Sequence, residues 1–418
     1  MKKLLSLLFC LAAMIPLRAI TPMPKPNAPL RWSGYVVLEN FYDTRDIVSF
    51  REDIFLLYPK QKVLDAFGSD INNHPKFNMA AVRTRMRVEA DGPDVHSYAA
   101  SMMIEGEFMG PIETTYGAFR LRHAYGKLEN EKARVIFGQY WHPMRAEDCM
   151  AQVVSYNDGA PIELYARDPQ IRYVYKHGKW ELLGALLEQS PGFESFGPDT
   201  PGESSIYLRR AIVPNIHGQL RYVTDERIFG IGVDYKRLVP RIVNNVGNTT
   251  TEHVNEFAAT AYFVQKLCSV TLRMQGIYAQ DQTALLGFGG YAVTDVNPLT
   301  NEQNYSPLQD VNAWFDVTSN DERLSPGLFV GVSKNLGTLK RINTFGPDGQ
   351  PIVYGRNPNI DYVVRVAPRV VWTLGQFQIG LECEYTGASY GRLDLHGKVR
   401  HGSYVDNLRA LLDLFYYF

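Results

Sequence analysis

The sequence predicts an all-β protein, a transmembrane antiparallel up-and-down β-barrel of about sixteen strands. Three observations predict it. Two-residue alternation of apolar and polar side chains recurs along nearly the whole chain, with little helical periodicity. Short connections alternate with long polar ones, as they do when tight turns lie on one side of a membrane and loops on the other. The final stretch, NLRALLDLFYYF, sets Leu408, Ala410, Leu412, Leu414, Tyr416 and Phe418 on one apolar strand face. A last strand of that form resembles the signal that barrel-assembly machinery reads on bacterial outer-membrane proteins, with Tyr416 and Phe418 as its aromatic positions.

At the other end, MKKLLSLLFCLAAMIPLRA has a basic start (Lys2, Lys3), an apolar run and a small residue at Ala19. This is the layout of a secretory signal peptide, residues 1–19, too short and wrongly flanked for a lasting membrane span. The Pro-rich TPMPKPNAPL that follows predicts an extended lead-in over 20–31, and residues 32–418 are assigned to the barrel. No later stretch approaches ~18 consecutive apolar residues, so no transmembrane helix is expected. The formal charge of -1 falls to about -4 without Lys2, Lys3 and Arg18, which excludes a generally basic nucleic-acid binder. Beyond the signal only Cys149, Cys268 and Cys383 remain, an odd and widely spaced set that argues against a disulfide framework and a zinc site. No metal or cofactor is expected.

Strands are predicted at 32–42, 78–90, 95–108, 116–127, 132–141, 169–176, 179–188 and 215–223. The second half continues with 227–237, 253–264, 267–278, 309–318, 326–335, 359–372, 376–386 and 404–418. Most are near the ~9–11 residues that a tilted strand needs to cross a bilayer. In GQFQIGLECEY, for example, Phe377, Ile379, Leu381, Cys383 and Tyr385 oppose Gln376, Gln378, Glu382 and Glu384. Tight joins (DGPD, ENE, HG, TDE, QK, LG) alternate with long polar stretches at 43–77, 142–168, 189–214, 279–308 and 336–358. The brief MGPIETT is the exception.

The stretch RTRMRVEAD gives the interior. Arg83, Arg85, Arg87 and Glu89 share one strand face, and Thr84, Met86, Val88 and Ala90 share the other. In a barrel whose outside meets lipid, the charged face points into an aqueous lumen, which sixteen strands leave open. Arg120 and Arg122 have the same sense on a later strand, opposite an outer face carrying Phe119, Leu121, His123 and Tyr125; Arg172 and Arg221 are further candidates. Glu105 and Glu107 also face inward. Two readings stand side by side: opposed rows of charge that make a transverse field, or charges that pair with one another.

Rival classes lack their marks. There is no Gly-x-Ser-x-Gly elbow, no His-Glu-x-x-His and no phosphate-cradling loop, and the histidines are scattered, so no enzyme is expected. A surface structural protein would need large external domains. A sugar channel would need a track of lumen-facing aromatics, whereas most Tyr and Phe here fall on lipid faces or near strand ends.

Six pieces, SGYVVLENFYD, RTRMRVEAD, EGEFMG, RLRHAYGKL, FGQYW and DPQIRYVY, resemble the DcaP-like porins of Gram-negative outer membranes. The resemblance spans about residues 32–176 and continues beyond in strand rhythm and the aromatic end. It implies a homotrimer of sixteen-stranded barrels in the outer membrane, passing small anionic, dicarboxylate-like solutes by passive diffusion. By that resemblance Arg83, Arg85, Arg120 and Arg122 form a basic wall. It also implies that residues 142–168 fold into the lumen, bringing Arg145, Glu147, Asp148 and Asp158 toward that wall; an external lid is the other reading of this loop. The alternative function is a channel for neutral sugars or a general, non-selective porin. This chain has TPMPKPNAPL where some members carry a long helical segment.

Overall fold

A computed structural model describes residues 29–110 and 113–418. The expected signal peptide and residues 20–28 of the lead-in lie outside the described residues. Among the described residues, sixteen strands close into one antiparallel barrel. They are β1 (Arg31–Asp43), β2 (Lys76–Ala80 and Arg85–Asp91), β3 (Ala99–Glu107), β4 (Arg120–Glu129), β5 (Ala133–Trp141), β6 (Arg167–His177), β7 (Trp180–Leu187) and β8 (Asn215–Val223). The second half comprises β9 (Arg227–Leu238), β10 (Val254–Lys266), β11 (Val270–Gln280), β12 (Gln303–Ser319), β13 (Leu324–Thr338), β14 (Ile360–Leu374), β15 (Phe377–Leu393) and β16 (Val399–Tyr417). Each strand pairs with its sequence neighbours, and β16 returns to β1 from Tyr35↔Tyr417 to Asp43↔Arg409.

Closure follows from the solvent. An open edge would leave backbone N–H and C=O groups unpaired in hydrocarbon. The outer face is correspondingly apolar: along β10, Phe257, Ala259 and Ala261 are exposed, while Glu256, Thr260 and Tyr262 are buried inside. Trp32, Tyr175, Trp180, Trp372, Tyr416 and Phe418 ring one rim, and Tyr42, Phe77, Phe257, Tyr278 and Tyr404 ring the other, all exposed. Two aromatic girdles around an apolar band are what the two interfaces of a bilayer select. No helix among the described residues is long and apolar enough to cross a membrane.

The short turns at 92–98, 130–132, 178–179, 224–226, 267–269, 320–323 and 375–376 lie at the rim where β1 begins and β16 ends, and one short turn, 394–398 between β15 and β16, lies opposite. The long loops lie at the other rim. An epitope tag in the exposed turn between Leu64 and Asp70, whose Phe67 is 94% exposed, is therefore expected to bind antibody on intact cells. A tag in the 92–96 turn should bind only after the outer membrane is permeabilised, and the reverse labelling would invert this topology.

Four expectations need correction. The predicted continuous strand 78–90 is broken at 81–84, where the Thr84 amide and hydroxyl both turn back onto the Ala81 carbonyl. The stretch 43–77 is not simply external. It holds a hairpin, Ile47–Phe50 paired with Phe55–Pro59, whose second arm is buried at every residue. β15 and β16 pair well beyond residues 386 and 404, to Leu393 and Val399; residues 386–390 of β15 are buried on both faces, so the apolar alternation stops while the ladder continues. His123 does not face outward. A bulge between Glu105 and Gly106 sets His123 opposite Glu105 and Leu121 opposite Gly106, so Arg122 and His123 both turn inward. His123 packs on Tyr140 and Trp141, with ring centroids 5.6 and 5.0 Å away. Two further loop strands, Gly289–Val296 and Val353–Arg356, pair with each other, and the first also pairs with the start of β12.

Candidate solute pathway

The structure brings the predicted arginines and glutamates to one wall and joins them. Glu107 accepts from Arg120 at 2.6 Å, from Arg122 at 2.9 Å, from Arg85 at 3.3 Å and from the Tyr156 hydroxyl at 2.5 Å. Glu105 accepts from Arg87 at 2.6 Å and from Arg122 at 2.8 Å. Arg83, from the broken section of β2, reaches Glu39 of β1 at 3.0 Å, Asp413 of β16 at 3.1 Å and the Val154 carbonyl at 3.0 Å. The two rows thus lie on adjacent strands and neutralise each other; they do not face one another across the lumen.

The pairing is layered. The Glu105 and Glu107 side chains are 2% and 0% exposed, against 18% for Arg85 and 42% for Arg87. At Arg85 and Arg87 the carboxylates sit behind and the guanidinium groups in front, whereas Arg120 at 10% and Arg122 at 2% are buried with the acids they hold. A cavity of about 580 Å³ is lined by Arg83, Arg85, Arg122, Arg145 and Arg369, with Glu147, Asp158 and Glu322 as its acidic members.

Residues 142–166 form the opposite side of this cavity and touch inward side chains around much of the barrel. The Val154 amide donates to Glu382 at 2.7 Å and Asn157 to Glu384 at 2.8 Å, both on β15. Arg365 of β14 donates to the Ala160 carbonyl at 2.6 Å, Asn312 of β12 to the Ile162 carbonyl at 3.0 Å, and Gln275 of β11 to the Met144 carbonyl at 2.8 Å. The loop's charges are divided. Arg145 lies over the Trp141 and Tyr165 rings, 4.3 and 4.5 Å from their centroids, and pairs with Asp158 at 3.3 Å. Glu147 accepts from Tyr140, and Asp148 pairs with Arg221 of β8, so neither acid turns toward Arg83, Arg120 or Arg122. Arg172 donates to the Trp141 carbonyl at 2.5 Å, within the wall.

His142 and Glu163 are among the loop groups with displaced ionisation. Burial lowers the His142 imidazole to about 4, which keeps it neutral and lets Nδ1 accept the Met144 amide at 3.2 Å. Burial pushes the Glu163 carboxyl up to about 8, against the pull of Arg145, and Glu163 accepts the Ala151 amide at 2.9 Å. A carboxyl whose folded pKa is raised contributes stability below its ordinary 4.5 that is lost as pH rises through about 8. Glu163→Gln is expected to flatten the pH dependence of thermal stability across that window; a slope equal to that of the parent would count against it.

Several members escaped sequence reasoning. Glu39 and Asp413 could have been found from strand alternation, as could Arg365 and Arg369 in YVVRVAPRV. Tyr156 carries no local signal. Among the described residues, no group of three His, Cys, Asp or Glu could hold a metal ion, and Cys149, Cys268 and Cys383 are unpaired.

Neither a family model nor a curated protein matches the chain. Solved structures do. The outer-membrane channel DcaP of Acinetobacter baumannii is similar with a TM-score of 0.69 and 16% identity, over 94% of this chain and 97% of that one. An anion-selective porin from Comamonas acidovorans gives a TM-score of 0.54 at 9% identity, over 94% and 100%. The trimer form of OmpT, an outer-membrane protein of Vibrio cholerae, gives 0.50 at 11%, over 94% and 99%. At these identities the likeness concerns the fold: the chain is a porin-like barrel, its outside built for a bilayer.

Proposed function

We propose that the protein is a passive channel of the Gram-negative outer membrane for small anionic, dicarboxylate-like solutes, delivered there after loss of its signal peptide. The observation that carries this is the layering of the wall. Guanidinium groups cannot titrate away in the working pH range, and they offer planar forks suited to carboxylates. In a narrow lumen walled by low dielectric, an exposed positive layer concentrates anions even when its counter-charges sit behind it. Arg83, Arg85, Arg87, Arg120, Arg122 and Arg145 are the proposed selectivity groups. Glu105 and Glu107 hold the arginines in place, and loop 142–166 is the proposed constriction. Assembly by the barrel-assembly machinery, through Tyr416 and Phe418, and a homotrimer belong to the same reading; a similar fold in a trimer form supports the latter.

One observation favours a second reading, a channel for neutral sugars. Tyr35, Phe415 and Tyr417 line the cavity as a patch of rings, with centroids 5.5 Å apart for each pair involving Tyr35. The test removes charge without unbalancing the wall. Arg85→Gln combined with Glu105→Gln takes one exposed positive and one buried negative group. In a salt gradient the reversal potential is expected to move toward cation preference, and dicarboxylate uptake to slow more than uptake of a neutral sugar. Equal losses of both fluxes, or an unmoved selectivity, would reduce the arginines to structural partners of the glutamates.

A further inference from the structure

We infer that the hairpin at 47–59 is a second constriction, stacked on loop 142–166 from the external side, and that it sets the size of solute the channel admits. The inference rests on the reading of the protein as a passive channel and concerns size, not charge.

The hairpin is a built element. Phe55, Leu56, Leu57 and Tyr58 are all 0% exposed, so both faces of this arm are covered. One cover is the inner wall. Arg365 of β14 donates to the Leu57 carbonyl at 2.8 Å, and Arg409 of β16 to the Asp53 carbonyl at 2.8 Å. Tyr390 of β15 donates to the Pro59 carbonyl at 2.7 Å. The other cover is loop 142–166: the Phe55 ring stands edge-on to Tyr156 and Tyr165, with centroids 5.6 and 5.5 Å away. These residues belong to one continuous apolar cluster that also takes in Ile162, Trp314 and Phe329. A polar lumen left to water would not assemble such a cluster; at this level part of the lumen is filled.

The two inward elements share a fastening. Arg365 holds the Ala160 carbonyl of loop 142–166 at 2.6 Å and the Leu57 carbonyl of the hairpin at 2.8 Å with the same guanidinium. The tip adds strain: Arg51, Glu52 and Asp53 are three successive non-glycine residues at φ of 58°, 55° and 65°. Left-handed backbone is unfavourable for such residues, so the tip persists only because its surroundings hold it. Asp53 is held by Ser49 at 2.5 Å and by Lys76 at 2.7 Å, and the Glu52 carbonyl by Asn78 at 2.7 Å. A strained, heavily latched hairpin in the path of solutes is a constriction that the sequence maintains against its own backbone preference.

The hairpin can be excised cleanly. At its base the Lys60 amide donates to the Asp46 carbonyl at 2.8 Å, so residues 47–59 can be replaced by a two-residue Asn-Gly turn without displacing either flank. Single-channel conductance in planar bilayers is expected to rise at least twofold, and liposomes should swell in a neutral trisaccharide that the parent excludes. Phe55→Ser, which keeps the hairpin, should give a smaller rise in the same direction, and it carries the test if the excised chain does not assemble. Heat-modifiable gel mobility reports the folded barrel for each variant. A folded variant with the conductance and size limit of the parent would overturn the inference. The reversal potential is read on the same channels: if the parent shows no anion preference, the charge reading fails while the size readout stands or falls separately.

Discussion

Glu107→Gln is expected to destabilise the barrel by about 3–5 kcal/mol, more than any single arginine substitution in the same wall. Glu107 is the meeting point of Arg85, Arg120 and Arg122, and the Tyr156 hydroxyl caps it from loop 142–166. Its side chain is 0% exposed and that of Arg122 is 2%, so water cannot replace the lost charge. An amide keeps the shape and one acceptor, but leaves three guanidinium groups facing a neutral partner. Breaking a buried ionic group by removing one member costs more than the group contributes when whole, because uncompensated charge stays behind. The denaturant midpoint of the folded barrel should fall accordingly, and the surviving channels should be more anion-selective than the parent. Adding Arg120→Gln should restore much of the stability, since the two residues act as one unit and their effects are not additive. A stability loss below about 1 kcal/mol would place Glu107 among the surface-like pairs that contribute little.

The barrel was legible because a bilayer imposes a pattern on sequence that water does not: apolar outer faces of fixed length, rims of aromatics, and connections sorted by side. Those constraints act on each strand separately, so reading them needed no knowledge of strand neighbours. The wall was legible only in part for the opposite reason. Alternation puts Arg85, Arg87, Glu105 and Glu107 inside, but which carboxylate meets which guanidinium depends on register, and register here turns on the bulge at Glu105 and Gly106. The same extra residue took His123 from the predicted outer face to the lumen. The hairpin at 47–59 was hidden because its strands are four and five residues long, and its second arm, buried on both faces, carries no alternation. Tyr156 was hidden because its role depends on where a long loop lies, which loop composition does not encode.

Gly34→Leu is expected to prevent the barrel from closing. β1 is held between β2 and β16 at this point. A Cβ on Gly34 would lie 2.2 Å from the Arg85 carbonyl oxygen and 2.9 Å from the Phe418 ring, and the first of these is backbone that cannot swing aside. The seam depends on this residue, because the Gly34 amide donates to the Phe418 carbonyl and the Phe418 amide to the Gly34 carbonyl, both at 3.1 Å. A side chain here must push β2 or β16 away, and a parted seam leaves ladder groups unpaired in hydrocarbon at several kcal/mol each. The variant should therefore lose the heat-modifiable band and become sensitive to protease in membranes. Phe418→Ala, which keeps both backbone hydrogen bonds and removes only the ring over Gly34, should assemble more slowly and to a lower yield. Deleting Phe418 removes the bonds as well and should fall near Gly34→Leu. If Gly34→Leu instead assembles at the parental yield, closure does not depend on this close approach and the seam tolerates more separation than its geometry allows.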